Sequence, residues 1–506
     1  MPQLRDSSNS GPTSRTLSVT PDTSFERIFG IETEYGLSVT GEKSATEGAK
    51  HGETKLDAAR VASVMFEPVV AQSRSTNTYA DNGSRLYLDV GAHPEYATAE
   101  ARTVSDAVLL DAAGENLMAA LAHGAERALQ EREGEPDLRV HMYKNNADSQ
   151  GHSFGCHENY LVRRSVSLRE LEKCFIPFLV TRQIFAGAGT FRDGEYQISQ
   201  RADFLDDTIS SATTRSRPMI NTRDEPHADS RLYRRLHVIV GDSNRSQRAT
   251  WMKMMTAHLV LCMLEAQSRG EDYRLGVFAM NEPGFHMKKI SRDLDFRYRI
   301  PLSGGVEVSA IQIQREYCDA AELFLQRHAD ELKPDMREDA AVCVQLWRRT
   351  LSQCEARDWT ALASWVDWVA KYQLISGAVR RGASEAKGLQ LDFAYHDIAH
   401  DTVFSALQSR GFVQALYSMD AVRRARHEAP RGTRAELRGE FLRLARQSPA
   451  RWSADWTSLS AAPAQETRAV TAHILDPFSV EKTSEYEAVC AVLRGGRGED
   501  PMLPLI

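Results

Sequence analysis

The order of two kinds of segment limits what this chain can become. Short stretches with strand-like patterning fill the first 240 or so of its 506 residues, and helical periodicity fills most of the remainder. Ile28–Tyr35 (IFGIETEY) has the β-branched and aromatic content of a strand. In Arg85–Val90, Leu86, Leu88 and Val90 face one way while Arg85, Tyr87 and Asp89 face the other. Strand-like pieces recur at Val140–Tyr143, Tyr160–Arg163 and Leu236–Val240. Between them, Val104–Glu131 places Leu110, Ala113, Leu117 and Leu121 at helical spacing. From Ala249 the chain reads mostly as helix, with a mixed segment near 281–308. Strands and helices that do not alternate one for one predict an α+β architecture rather than a βαβ repeat. Residues 1–26, rich in Ser, Thr, Pro, Asn and Asp, read as a disordered extension, and Gly41–Thr54 as a loop.

Charge and cysteine usage exclude whole classes. A net charge of −7 over this length argues against a surface built for nucleic acid. Seven cysteines without a CxxC pair predict neither a disulfide framework nor a zinc knuckle, and point to a reducing cytoplasm. The longest apolar stretch, near Ala257–Leu264, is far short of the ~20 residues that span a membrane. No GxxxxGK[ST] loop and no GxGxxG turn is present, so a bound nucleotide would be held through metals and side chains.

Four clusters could carry chemistry. Glu32 and Glu34, at i and i+2 on a strand, share a face; they form either a hard-cation site or a solvated edge. In RLYLDVGAHPEYAT, Arg85 suits a phosphate clamp, Asp89 a general base and Glu95 a metal ligand; a surface ion pair before a simple turn is the alternative. His157 and Asn159 share another strand face, with a structural histidine as the plain reading. Arg223 and Arg235 flank a dense polar run and could receive phosphate oxygens, or pair internally. Residues 423–452 hold nine arginines against three glutamates, Thr433 and Glu436 have capping-box spacing, and Trp456 follows. That stretch reads as a solvated helix face or as a docking surface for an acidic partner.

The strings RIFGIETEYG, NGSRLYLDVGAHPEYATAE, YKNNADSQGHSFGCHENYL, SSATTRSRPMINTRDEPHAD and YRRLHVIVGDSN resemble the Pup ligase/Pup deamidase family, on the ligase side, from about Arg27 to Asp476. The resemblance implies a glutamine-synthetase-like carboxylate–amine ligase fold. A large catalytic domain (27–404) would carry a curved antiparallel sheet backed by helices, followed by a small C-terminal domain (405–506). It implies ATP and Mg²⁺ as cofactors, and as partners Pup, a small acidic disordered protein, and lysine-bearing targets, with no nucleic acid and no membrane. By matching motif, Glu32, Tyr87 and Glu95 are implied metal positions, with Glu34 and His157 as further ones. Arg85, Thr98 and Trp456 are implied nucleotide contacts, Arg223 a further one, and Asp89 the catalytic base. Chemistry alone would not select Tyr87, because a neutral phenol is a poor Mg²⁺ ligand. His237 and Asn159 are plausible additions. The related deamidase is the runner-up activity; LDVGAHPEY and the modest interval between Glu34 and Arg85 favour the ligase. A monomer is expected, since large substrates need open access.

Overall fold

The computed structural model describes residues 24–41, 56–73, 75–88, 93–148, 151–205, 207–210 and 217–495. Asp89, residues 1–23 and most of the loop expected over Gly41–Thr54 lie outside them. The strands in chain order are β1 (Phe29–Glu34), β2 (Gly36–Thr40), β3 (Asn77–Tyr79), β4 (Arg85–Leu88), β5 (Pro94–Ala97), β6 (Arg139–Tyr143) and β7 (Cys156–Arg163). There follow β8 (Thr190–Arg192), β9 (Glu195–Gln197), β10 (Asp207–Ser210), β11 (Pro218–Asn221) and β12 (Tyr233–Val238). The last are β13 (Ile300–Pro301), β14 (Glu307–Val308), β15 (Arg451–Ala454), β16 (Ser458–Ala462) and β17 (Val470–His473).

One eight-stranded sheet dominates, in the order β10-β11-β12-β7-β1-β5-β4-β3. Its neighbours pair antiparallel except β10 and β11, which are parallel. Period-two alternation sends Phe29, Ile31, Tyr96, Leu86, Tyr160 and Val162 to one face, where all are buried. Helix Val104–Glu133 packs behind that face, started by the Thr103 side chain accepting the Asp106 N–H and stopped by Gly134 at φ 65°. Helix Gln247–Gln267 is buried along nearly its whole length and anchors the main core. Among the described residues no helix is long and apolar enough to cross a membrane. All seven cysteines are buried and free.

Three features differ from the sequence expectations. The expected disordered extension ends earlier: Phe25 is buried edge-on to Phe324, and Glu26 pairs with Arg102 and Lys333. An aromatic ring with an apolar slot to fill overrides the polar composition around it. Thr433 and Glu436 do not form a capping box. Helix Ala435–Arg446 begins one residue later than that spacing implies, and Glu436 accepts the N–H of Gly432 instead.

The third difference concerns the Arg-rich stretch. Arg434 and Arg438 are 2% and 0% exposed, so they are no docking surface. Both bond to the buried carboxylate of Glu100 beside the sheet, and Arg446 reaches Asp81 and the Tyr79 carbonyl. The buried arginines of this helix face the sheet because Glu100 and Asp81 lie opposite them, while Arg443 on the same helix stays exposed. The small core gathers Leu437, Phe441, Leu459, Ala472, Tyr486 and Val489 around the three-stranded sheet β15-β16-β17, with Tyr79 of β3 packed into it. Past the boundary expected at 405, Val413 and Ala435 still belong to the large core.

Candidate functional site

The face opposite the core carries polar side chains on five adjacent strands. Register brings them into rows: Glu34 lies opposite Glu95, and Glu95 opposite Tyr87. Glu32 lies opposite His157, and Asn159 opposite both Gly30 and His237. Residues paired across a sheet project to the same side, so residues spread over some 200 positions meet on one surface.

Glu32 is the centre. The Tyr87 hydroxyl donates to its Oε1 at 2.7 Å, while His157 Nδ1 and His237 Nε2 stand 3.3 and 3.4 Å from its Oε2. Burial opposes charge on Glu32, but the two imidazoles outweigh it and hold its carboxyl well below the usual range. Burial, followed by the Glu32 and Glu95 carboxylates, pushes the Tyr87 phenol up, so it stays a neutral donor. Glu34 accepts the Gly155 N–H at 3.0 Å. A Cβ on Gly155 would meet His157 Nε2 at 2.1 Å, so glycine is what lets that ring lie over the strand.

Two groups of donor atoms suit a cation: Glu32, His157 and His237, and Glu34, Glu95 and His157, with each group's ligand atoms within 4.8 Å of one another. His237 Nε2 is buried and, 3.4 Å from Glu32 Oε2, falls short of a hydrogen bond, so it could ligate a cation that the carboxylate also reaches. The carboxylates suit Mg²⁺ or another hard divalent ion, while imidazole nitrogen is the better donor for transition metals.

Burial lowers His237 to about 4, with Glu32 pulling the other way. Between pH 6.5 and 4, therefore, the unfolded chain takes a proton at this imidazole that the folded chain refuses. Stability should fall on acidification across that window. His237→Gln removes the contribution, and urea midpoints measured from pH 7 to 4 should fall less steeply in the variant. An unchanged slope would show that His237 does not govern this part of the acid response.

Beside the row lies a cavity of about 240 Å³ whose walls include Gly30, Glu32, Arg85, Thr98, Arg235 and Trp456. Arg85 is aimed by Asn77, which accepts its Nε–H at 2.8 Å, and by the Tyr87 ring beneath its guanidinium at 4.6 Å. The Thr98 hydroxyl accepts the Ile31 N–H at 2.9 Å and keeps its own proton to donate. Trp456 stands edge-on to Tyr79 with the Arg438 guanidinium 4.8 Å from its ring.

Of the residues expected from sequence, Arg85, Thr98, Trp456 and Glu32 thus share one cavity, and Tyr87, Glu95, Glu34 and His157 continue the row. Arg223 is not on the cavity wall: its side chain is 66% exposed and pairs with Glu225 at 3.1 Å. Arg235, on the strand β12, lines the wall instead. Asp89 directly follows β4 in sequence and lies outside the described residues. Glu100, Arg434 and His227 also line the cavity and were not singled out from sequence as site residues. The one available signal was the i, i+4 spacing of Arg434 and Arg438 beside the apolar Leu437 and Phe441, which marks a buried rather than a solvated helix face.

A sheet face of carboxylates and imidazoles beside a cavity walled by arginines and an indole has donors suited to a divalent cation and to a phosphorylated ligand. The family model described as Pup-ligase protein matches residues 27–460. A Pup–protein ligase of Bifidobacterium dentium is 48% identical over 505 residues, covering 97% of this chain and all of that protein. One of Bifidobacterium longum subsp. infantis is 46% identical, with 97% of this chain and all of that protein covered. The crystal structure of Pup with its ligase PafA superposes with a TM-score of 0.83 at 35% identity, covering 94% of each chain. The Pup ligase PafA in complex with ADP gives a TM-score of 0.75 at 36% identity, covering 89% of this chain and 97% of that one. The chain belongs to the Pup-ligase family.

Proposed function

We propose that the chain is an ATP-dependent ligase that joins the γ-carboxylate of the C-terminal Glu of Pup to a lysine of a target protein, marking the target for the proteasome. The observation that carries this reading is the unbroken row Tyr87–Glu95–Glu34–Glu32–His157 leading into the cavity of Arg85, Thr98 and Trp456. The identity to Pup–protein ligases over the full length supports it.

A carboxylate is a poor electrophile. In the proposed reaction the γ-carboxylate oxygen attacks the terminal phosphorus of ATP, giving an acyl phosphate and ADP. The lysine amine then attacks the acyl carbon, phosphate leaves with the bonding electrons, and an isopeptide bond remains. Glu32, Glu34, Glu95, His157 and His237 would hold Mg²⁺. When bound, that ion offsets the negative charge gathered by ATP and the substrate carboxylate. Arg85 and Arg235 supply planar donors for phosphate oxygens, Thr98 a hydroxyl donor, and Trp456 an apolar face for the base. The arriving lysine, with an unperturbed pKa of about 10.4, must lose a proton, and Asp89 is placed by motif to take it.

Incubation with ATP, Mg²⁺, Pup ending in Glu and a lysine-bearing target should yield a covalent conjugate. Ammonia release from Pup ending in Gln, with no conjugate, would overturn the ligase reading in favour of the deamidase. Asp89→Asn should lower conjugation by about 10²- to 10⁴-fold, the usual worth of a positioned base, with ADP binding nearly unchanged by calorimetry. Full activity in that variant removes Asp89 from the role. The protein is proposed to act as a monomer, which light scattering during gel filtration would check.

A further inference from the structure

We propose that Arg434 and Arg438, through their shared partner Glu100, are positioning residues that hold His227 and Trp456 as the two aromatic walls of the nucleotide cavity. The inference rests on the nucleotide reading above and goes beyond it, because neither arginine is asked to touch the base. Glu100 is 7% exposed and lies three residues past the end of β5. Arg434 Nε donates to its Oε1 at 2.7 Å, and Arg438 bonds both of its oxygens. Each arginine also reaches one wall, while Arg438 Nε donates to the Gly83 carbonyl at 3.0 Å and Arg434 Nη1 to the Ile474 carbonyl at 3.2 Å. Arg438 Nη1 donates to the Trp456 carbonyl at 3.1 Å, and its guanidinium lies against that indole. Arg434 Nη1 donates to the His227 carbonyl at 2.5 Å and to the Leu475 carbonyl at 2.9 Å.

The His227 and Trp456 ring centroids are 6.3 Å apart at an interplanar angle of 35°. That separation is about half an ångström short of two stacked layers of about 3.4 Å each, and the planes are tilted, so seating a purine between the rings depends on how the two walls are held. His227 comes from the loop before β12 and Trp456 from the turn after β15, so no local structure fixes their separation. One buried carboxylate with two buried arginines does. Shifting either arginine would change the width of the slot without removing a group that contacts the phosphates or the metal row.

Arg438→Lys keeps a positive charge beside Glu100 but loses the planar fork that spans Glu100, the Trp456 carbonyl and the ring. It should raise the KM for ATP about tenfold, with kcat at saturating ATP within about twofold and the melting temperature nearly unchanged. Trp456→Phe should raise the KM alone, and adding Arg438→Lys to it should change the KM by less than about twofold, since the wall that Arg438 positions is already altered. An unchanged KM in Arg438→Lys, effects that multiply with those of Trp456→Phe, or a kcat that falls in step with the melting temperature would each overturn the proposal. Should Arg438→Lys fail to fold, Arg434→Lys scored against His227→Leu applies the same criteria to the other wall. Calorimetry with ADP separates the two levels. Wild-type protein that binds no ADP overturns the nucleotide reading and this inference together; wild-type binding with Arg438→Lys unaltered overturns the positioning role alone.

Discussion

Glu32→Gln should lower conjugation about a thousandfold while the protein stays folded. Glu32 is the carboxylate on which the row converges, meeting the Tyr87 hydroxyl and the His157 and His237 imidazoles. Glutamine has the same shape and keeps one oxygen for the Tyr87 proton, but it removes the charge that would hold a divalent ion. A bound metal supplies several kcal/mol of charge stabilisation in phosphoryl transfer, and about 4 kcal/mol corresponds to about a thousandfold in rate. The check is the rate of conjugate formation over a magnesium series, with a thermal melt alongside. The variant should need far more magnesium for any residual rate. A rate above a tenth of wild type at ordinary magnesium would remove Glu32 from the metal site.

Arg182→Met is the corresponding prediction for stability. Glu158 lies on β7 between His157 and Asn159, but it points to the core side and is fully buried. Arg182 holds it with two bonds at 2.9 and 2.5 Å, and the Tyr160 hydroxyl adds a third at 2.6 Å. Burial opposes charge on Glu158, and Arg182 with Lys253 brings its pKa below the ordinary value. Methionine fills the space of the arginine stem but strands a buried carboxylate. Breaking a buried pair in this way costs about 3–5 kcal/mol, a large fraction of a typical total stability of about 5–15 kcal/mol. Urea denaturation should show that loss, and the double variant Arg182→Met with Glu158→Gln should recover much of it. Because β7 also carries His157, activity should fall with stability in the single variant. A single variant as stable as wild type would show that Glu158 is neutralised by some other route.

Much of this was legible before any tertiary structure. Alternation in IETE and RLYLD put Glu32 with Glu34 and Arg85 with Tyr87, because side-chain direction in a strand has a period of two. The long helix expected over Val104–Glu131 followed from its apolar repeat, and it runs two residues further, to Glu133. With no phosphate loop in the sequence, a nucleotide site was left to side chains, and side chains of this kind line the cavity. Other readings failed for a reason of the same kind each time. Arg434, Arg438 and Arg446 looked as solvated as the exposed arginines of the same stretch because composition does not record where the opposing carboxylates are, and Glu100 is more than 300 positions away from Arg434. Arg223 and Arg235 looked equivalent in sequence, but only Arg235 sits on a strand whose register places it at the cavity. Phe25 looked like part of a polar tail until Phe324 supplied its slot.

The sequence by itself therefore determined the class of fold, the family, and which side chains are chemically able to carry the reaction. These depend on local periodicity and residue type, which neighbouring residues settle among themselves. Tertiary structure alone decided that Tyr87, Glu95, Glu34, Glu32 and His157 form one row, that His237 joins it, and that Glu100 joins the small unit to the cavity wall. Those facts depend on strand register and on burial. Both are fixed by the packing of segments distant in the chain, where a slip of one residue would turn every one of these side chains to the other face.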